Sequence, residues 1–309
     1  MPRVDPLRRL NCWAVPDQEF SRALGAAGYI GMTWPKRYGG HERHPLERYT
    51  VLEELLAAGA PVGLHWIADR QSGALLLRYG TEEQRQAFLP RIASGELYFC
   101  IGMSEPGTGS DLASIRTRAV RTDEGWRING QKIWTTFAHC SQMMIALVRT
   151  EAGSERQNGL TQLLIDLSTP GITVRPIVDL TGGHDFNEVF FDDVLVPDTM
   201  RVGDEGNGWK QVTAELWTLR QMSRSTAAKL ASGQDPMLEA AIVKDLGNLY
   251  EQTLPRAVQA AMEGTDDLSA DGDFMRMIAS LLQISPSFSL RGGTREILRG
   301  IIARGLGLR

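Results

Sequence analysis

Cysteine is scarce: the 309 residues hold three, at positions 12, 100 and 140. Three thiols cannot form an even-numbered disulfide framework, and none of their spacings is the CxxC of a metal site. Cys12, Cys100 and Cys140 are therefore expected to be small buried hydrophobes in a reducing compartment. Histidine is nearly as rare, with five scattered copies and no pair at metal-ligating helical spacing. A positive charge excess is missing as well: net charge is −4, which gives no global attraction to nucleic acid. Long hydrophobic runs are also lacking. The longest, Ala57–Leu64 and Met143–Val148, fall far short of the roughly 20 residues that a bilayer requires. The basic, proline-punctuated start, Met1–Arg9, is followed by no apolar signal core, so a cytoplasmic location without membrane contact is expected. What remains is an ordinary globular mixture, 42% hydrophobic and 23% charged, long enough for two or three domains.

The pattern changes character twice. Residues 17–96 read as helical. Asp17 opens a helix that stops at Gly28. Between His44 and Ala58, Tyr49, Leu52, Leu55 and Leu56 share one face while Glu53 and Glu54 point away. Thr81 caps Glu82–Ile92, in which Pro90 is expected to kink or end the helix. Short strand patterns follow: Leu97–Met103, Ile115–Arg121, Gly125–Ile128, Gln131–Thr136, Met143–Arg149, Thr161–Asp166, Ile172–Pro176 and Asn187–Val194. Asn129-Gly130 between two of them reads as a hairpin turn. Helical periodicity then returns in Trp209–Lys229, Pro236–Glu251, Leu254–Met262, Phe274–Leu282 and Thr294–Arg304. The expected architecture is an α+β multidomain chain. It has an N-terminal helical domain (1–98), a middle β-barrel-like domain (99–203) and a C-terminal helical bundle (204–309).

Three stretches could carry chemistry. Phe99–Asp111 is a strand running into a turn with Gly107 and Gly109, where backbone N–H groups and the Ser104, Thr108 and Ser110 hydroxyls could cradle a phosphate or a flat heterocycle. It also reads as a plain polar β-turn. In Ile128–Thr136, alternation puts Trp134 and Thr136 on one face, able to stack on and hydrogen-bond a ring, although a strand tryptophan is more often core. In Leu290–Arg304, Gly292-Gly293 breaks the chain and Thr294 caps a helix whose N-terminus could hold an anion. That segment also reads as a terminal amphipathic helix with Ile297, Leu298, Ile301 and Ile302 as its stripe.

Taken together, these stretches resemble the acyl-CoA dehydrogenase family. Thr33–Gly40 is similar to that family's N-terminal loop and Tyr79–Pro90 to the helix that follows. Glu105–Asp111 matches its EPGxGSD signature, and Gly130–Thr136 its GxKxWIT strand with Thr135 in place of Ile. Phe190–Pro197 matches the end of its β-domain, and Gly206–Gly208 the start of its C-terminal helices. The resemblance implies an FAD-dependent α,β-dehydrogenation of an acyl-CoA thioester. An electron-transfer flavoprotein would take the electrons. The assembly would be a homodimer or tetramer, or a hetero-oligomer. It implies cofactor contacts from Ile101, Met103, Ser104, Gly109, Ser110, Trp134, Thr135, Thr136, Thr294 and Glu296, and substrate contacts from Ser110 and Gly293.

The family's proton-abstracting glutamate has two alternative positions. Here they hold Gly292 and Leu219. Glu215, one turn before Leu219, is the remaining carboxylate on that face, and it reads equally as an ordinary helix-surface residue. The family's Arg-Lys-x-Phe-Gly helical segment has no counterpart, and Thr213–Leu216 runs directly onto Trp217–Ser223. The expectation is a shortened member that has lost a helical segment at this junction, together with the base, and the family's first helix. The alternative function is a flavin- or acyl-CoA-binding relative without dehydrogenase activity.

Overall fold

The computed structural model describes residues 12–179, 182–212, 237–262, 272–290 and 294–308. Helices come first: α1 (Gln18–Ala26), α2 (Pro45–Ala57), α3 (Gly63–Ile67), α4 (Gly73–Tyr79) and α5 (Glu82–Ala93). Asp17 caps α1 by accepting from the Phe20 N–H. His44 and Glu47 form a capping box on α2, and Thr81 and Gln84 form another on α5. Between α3 and α4 the chain makes a π turn, Ala68–Ser72. The α3–α4 region has no periodic signature because most of it is buried, Leu64, His65, Ile67, Ala68, Leu75 and Leu76 among others.

The middle of the chain forms β1 (Phe99–Gly102), β2 (Arg118–Thr122), β3 (Gly125–Thr136), β4 (Met143–Arg149), β5 (Leu160–Asp166), β6 (Ile172–Ile177), β7 (Phe186–Val196) and β8 (Arg201–Val202). Their order is β6-β7-β3-β2-β4-β5-β8, with β1 parallel to β4. The β2–β4 seam is a single residue pair, Arg118 with Arg149. The two halves are held instead by side chains. Ala119, Trp126 and Ile128 from one half meet Met144, Ala146, Val148, Leu163 and Ile165 from the other. Strand β4 is buried on both faces, which explains its unbroken apolar run. Its Met143 and Ile145 pack with the α3–α5 helices, and its Leu147 meets Ile115, Leu160 and Val212.

The helices after the sheet begin at Gly208, where a Cβ would stand 2.7 Å from the Leu160 carbonyl oxygen. Further on lie α6 (Met237–Met262), α7 (Gly272–Ile284) and α8 (Arg295–Gly305). Arg295 donates to Asp245 at 2.8 Å and so ties α8 to α6. No helix among the described residues is long and apolar enough to cross a membrane.

Two local expectations fail, and a third is narrowed. Asn129-Gly130 is not a turn, because β3 runs straight through it. The hairpin turns at Asp123-Glu124, leaving Thr122 and Gly125 paired. Gly130, with φ of +148°, sits at a register shift against β7, where a Cβ would lie 2.7 Å from Thr117. Pro90 does not end α5, which continues to Ala93. Pro236–Glu251 and Leu254–Met262 are one helix, α6, which carries Pro255 inside it. In both helices the proline forfeits one backbone hydrogen bond, and the flanking turns continue regardless.

The helical core contains a buried polar cluster. Asp69 accepts from Arg48 at 2.6 Å and from the Gly31 N–H at 2.8 Å. Burial raises its carboxyl, but Arg48, the Gly31 N–H and nearby His65 outweigh that, so it stays below the usual range. His65 shares a 2.9 Å hydrogen bond with Ser21, and burial lowers its pKa to about 4 despite Asp69. The folded protein therefore holds His65 neutral while the unfolded chain protonates it near pH 6.5. Stability contributed by neutral His65 is full above that pH and is lost as pH falls toward 4. The expected loss is about 3 kcal/mol at 1.36 kcal/mol per pH unit. Urea unfolding of wild type and His65→Gln across pH 4 to 7 checks this, with a shallower slope expected in the variant.

Candidate functional site

The Glu105–Thr108 turn after β1 closes on itself. The Glu105 N–H donates to the Thr108 carbonyl, and the Thr108 N–H to the Glu105 carbonyl, both at 2.9 Å. The turn is then anchored from below. The Glu105 carboxylate is buried and accepts from the Arg116 N–H at 2.6 Å, the Thr117 N–H at 2.9 Å and Lys132 Nζ at 2.9 Å. Lys132 is fully buried and also donates to the Met103 carbonyl at 3.1 Å. Burial raises the Glu105 carboxyl, but Lys132 and the N–H donors together hold it below its ordinary range. Burial lowers the Lys132 ammonium to about 8, against the pull of Glu105. The Ile133 N–H donates to the Ser104 carbonyl at 2.9 Å. The glycine-bearing turn and β3 are thus bolted together by one buried ion pair and one backbone bond.

Above these anchors the surface is open. Gly107 and Gly109 are exposed, and a Cβ built on either meets nothing within 4 Å. Ser110 is exposed beside them, and Ser104 is half-buried. At the end of β3 the ladder slips. Lys132 pairs with Val189 but Thr135 pairs with Asn187, so β3 carries one extra residue. Trp134 takes a left-handed φ of +59° in this bulge and is 56% exposed, with its indole edge-on to Phe186. Thr136 is half-buried. The slip lets Lys132 and Thr135, three apart, both point inward, while Trp134 points out. Two buried hydroxyls, Thr108 Oγ1 and Thr135 Oγ1, have no hydrogen-bond partner. Each such group is costly by about 1–3 kcal/mol until something meets it.

The structure therefore brings Met103, Ser104, Gly109, Ser110, Trp134, Thr135 and Thr136 onto two linked segments. Met103 also packs with Ile115 and Leu147, while half-buried Ile101 packs toward the helical core. Thr294 and Glu296 stand at the start of α8, with no hydrogen bond or ion pair to this ledge among the described residues. The Glu296 carboxyl is lowered first by its own N–H and then by the Thr294 hydroxyl, the arrangement of a helix start. Glu215, Leu219, Gly292 and Gly293 lie outside the described residues. The sequence reading missed Glu105 and Lys132 as a pair. The signal that could have found them is two opposite charges, 27 positions apart, inside otherwise strand-like segments.

Helices flank a sheet domain in which the exposed Trp134 stands on the strand tied to the glycine turn. The chain belongs to the acyl-CoA dehydrogenase family. Residues 2–96 match that family's N-terminal domain and residues 100–194 its middle domain. Acyl-CoA dehydrogenase IpdE1 of Mycolicibacterium smegmatis is 32% identical, with 94% of this chain and 87% of the relative covered. That alignment, 345 positions long, exceeds the length of the chain, so stretches of the relative face gaps here and the chain is a shortened member. IpdE1 of Mycobacterium tuberculosis is 43% identical over 66% of this chain but only 53% of its own length. The segment matched is thus about half of that relative. Among solved structures, the ChsE4-ChsE5 complex from Mycobacterium tuberculosis superposes with a TM-score of 0.82 at 28% identity, covering 94% of this chain and 89% of that one. The fold class read from the sequence, helices, then sheet, then helices, is the one observed.

Proposed function

We propose that the chain is a flavin-binding acyl-CoA dehydrogenase-type oxidoreductase. Its reaction would be the α,β-dehydrogenation of an acyl-CoA thioester. The observation that carries this reading is the pairing of the open Gly107–Ser110 turn with Trp134 and the two unpartnered hydroxyls of Thr108 and Thr135. FAD fits that set. Its ring system would lie against the indole, and its pyrophosphate would meet the exposed Gly107–Ser110 stretch of the turn, Ser110 included. When bound, FAD supplies the two-electron acceptor for the hydrogen leaving the β-carbon. The protein's part is to hold the acyl group over the ledge, to exclude water and to hydrogen-bond the thioester carbonyl. In this reading Ser110 and Gly293 reach the substrate, and Thr294 and Glu296 approach the cofactor from α8. The remaining proposals are domain limits of 1–98, 99–203 and 204–309, and an electron-transfer flavoprotein as acceptor.

Anaerobic mixing of the purified yellow protein with a series of acyl-CoAs tests the reaction. Loss of the flavin band with at least one acyl-CoA is expected, and retention of the band with all of them contradicts dehydrogenation. Glu215→Gln tests the base in the same assay: unchanged flavin reduction removes Glu215 from consideration. A second reading is favoured by Gly292 and Leu219, which put no carboxylate at either family position. In that reading the chain is the non-catalytic partner of a two-subunit enzyme. Retained FAD that no acyl-CoA bleaches until a second subunit is added would support it.

Association with another subunit has a surface to use. Val243, Leu246, Tyr250 and Leu254 fall along one side of α6, and all are exposed. Lysines at Leu246 and Tyr250 together are expected to shift the protein to a smaller species in light scattering, with helix content kept. An unchanged mass means that this stripe is not the contact.

A further inference from the structure

The bulge that displays Trp134 is braced on one side by the Ile133–Ser104 backbone bond and on the other by one short segment of β7 and the turn before it. Asn187 is fully buried, and its Nδ2 donates to the Thr135 carbonyl at 3.1 Å. The amide thus holds the main chain where the extra β3 residue disturbs the ladder. That bond leaves Nδ2 a second hydrogen, and His139 Nδ1 lies 3.0 Å from Asn187 Nδ2 and 3.2 Å from Oδ1, so the ring accepts from or donates to the amide according to its tautomer. His139 is exposed, and its ring lies 4.6 Å from that of His184. The Phe137 N–H donates to the Asp185 carbonyl at 2.8 Å, and Phe137, like Trp134, has a left-handed φ. Phe186 completes the set against the indole edge.

We propose that Asn187, oriented by His139, is the positioning residue that fixes the Trp134–Thr136 bulge in its ligand-receiving shape. Asn187 acts through the Thr135 carbonyl and touches no ligand itself. The inference deepens the flavin reading of the ledge and rests on it for the ligand, but the shape of the bulge can be measured without any ligand.

The test therefore has two arms. In the apoprotein, acrylamide quenching of Trp134 emission, isolated by subtracting a Trp134→Phe background, reports the bulge directly. In the flavin-loaded protein, the absorption shoulders of FAD and its dissociation constant report the ledge. Asn187→Ala and Asn187→Asp, which both lack the amide donor, are expected to change Trp134 quenching and to raise the FAD dissociation constant about tenfold. His139→Ala is expected to do the same more weakly, and His139→Asn, whose amide can donate or accept near the Nδ1 position, to restore wild-type behaviour. A purely structural role would lower the melting temperature of the Asn187 variants and leave both readouts alone. Folded Asn187→Ala and His139→Ala proteins with unchanged quenching overturn the proposal. If the Asn187 variants do not fold, the exposed His139 pair decides it by the same readouts. If the wild type takes up no FAD, the flavin reading fails while the quenching arm still judges the positioning role.

Discussion

Lys132→Met is expected to destabilise the protein by about 3–5 kcal/mol, the usual result of removing one member of a buried ion pair. The reason is what stays behind. The Glu105 carboxylate remains buried, still held by the Arg116 and Thr117 N–H groups but with no cation beside it. The Met103 carbonyl loses its donor as well. Pairing the change with Glu105→Gln should recover part of the loss, since the amide carries no charge, although its one oxygen keeps only one of the two N–H bonds that Oε1 and Oε2 accept separately. Urea unfolding of the single and double variants measures this. Equal losses in Lys132→Met and in the double variant would mean that the ion pair is not what holds the turn to β3. In folded Lys132→Met, FAD retention should fall too, because the turn is bolted to the ledge through this pair.

Gly109→Val is expected to separate folding from binding. Its backbone is not in the left-handed region, and an added Cβ meets nothing within 4 Å. Stability should stay within about 0.5 kcal/mol of wild type, as for an ordinary exposed position. If the turn cradles the cofactor's phosphates, the valine side chain fills that space. The FAD dissociation constant should then rise on the order of a hundredfold, roughly 2.7 kcal/mol. Fluorescence titration of apoprotein with FAD, beside a thermal melt, gives both numbers. A variant that melts as wild type and binds FAD as wild type would show that the glycine turn faces away from the cofactor.

Much of the architecture was legible because it follows from periodicity. Strand β4 announces itself as Met143–Val148, apolar on both faces because both faces are buried. Thr81 is legible as the cap of α5, while Gln84, which completes the capping box, emerges only in the structure. The glycine turn was legible as a turn, but its foundation was not. Glu105 and Lys132 meet only through the fold, and no local spacing rule links positions so far apart. Asn129-Gly130 misled for a related reason. Its glycine is needed for close approach to Thr117 within a long strand, and the same dipeptide serves a two-residue turn elsewhere. Alternation put Trp134 and Thr136 on one face, and Trp134 does stand out from the sheet. The left-handed backbone and register slip that display it depend on Asn187 and Asp185, about 50 residues away. Helix α6 reads as two segments in the sequence but is one helix in the structure, with Pro255 inside it.

The proposed seat of the flavin is the ledge formed by the Gly107–Ser110 turn and the Trp134–Thr136 bulge. The visible spectrum of the purified wild-type protein, compared with folded Trp134→Ala and Gly109→Val, tests that most directly. Near-stoichiometric FAD in the wild type, markedly reduced in both variants, is the expected result. Wild-type protein that holds no FAD even after incubation with excess cofactor, or variants that hold it undiminished, would contradict the account.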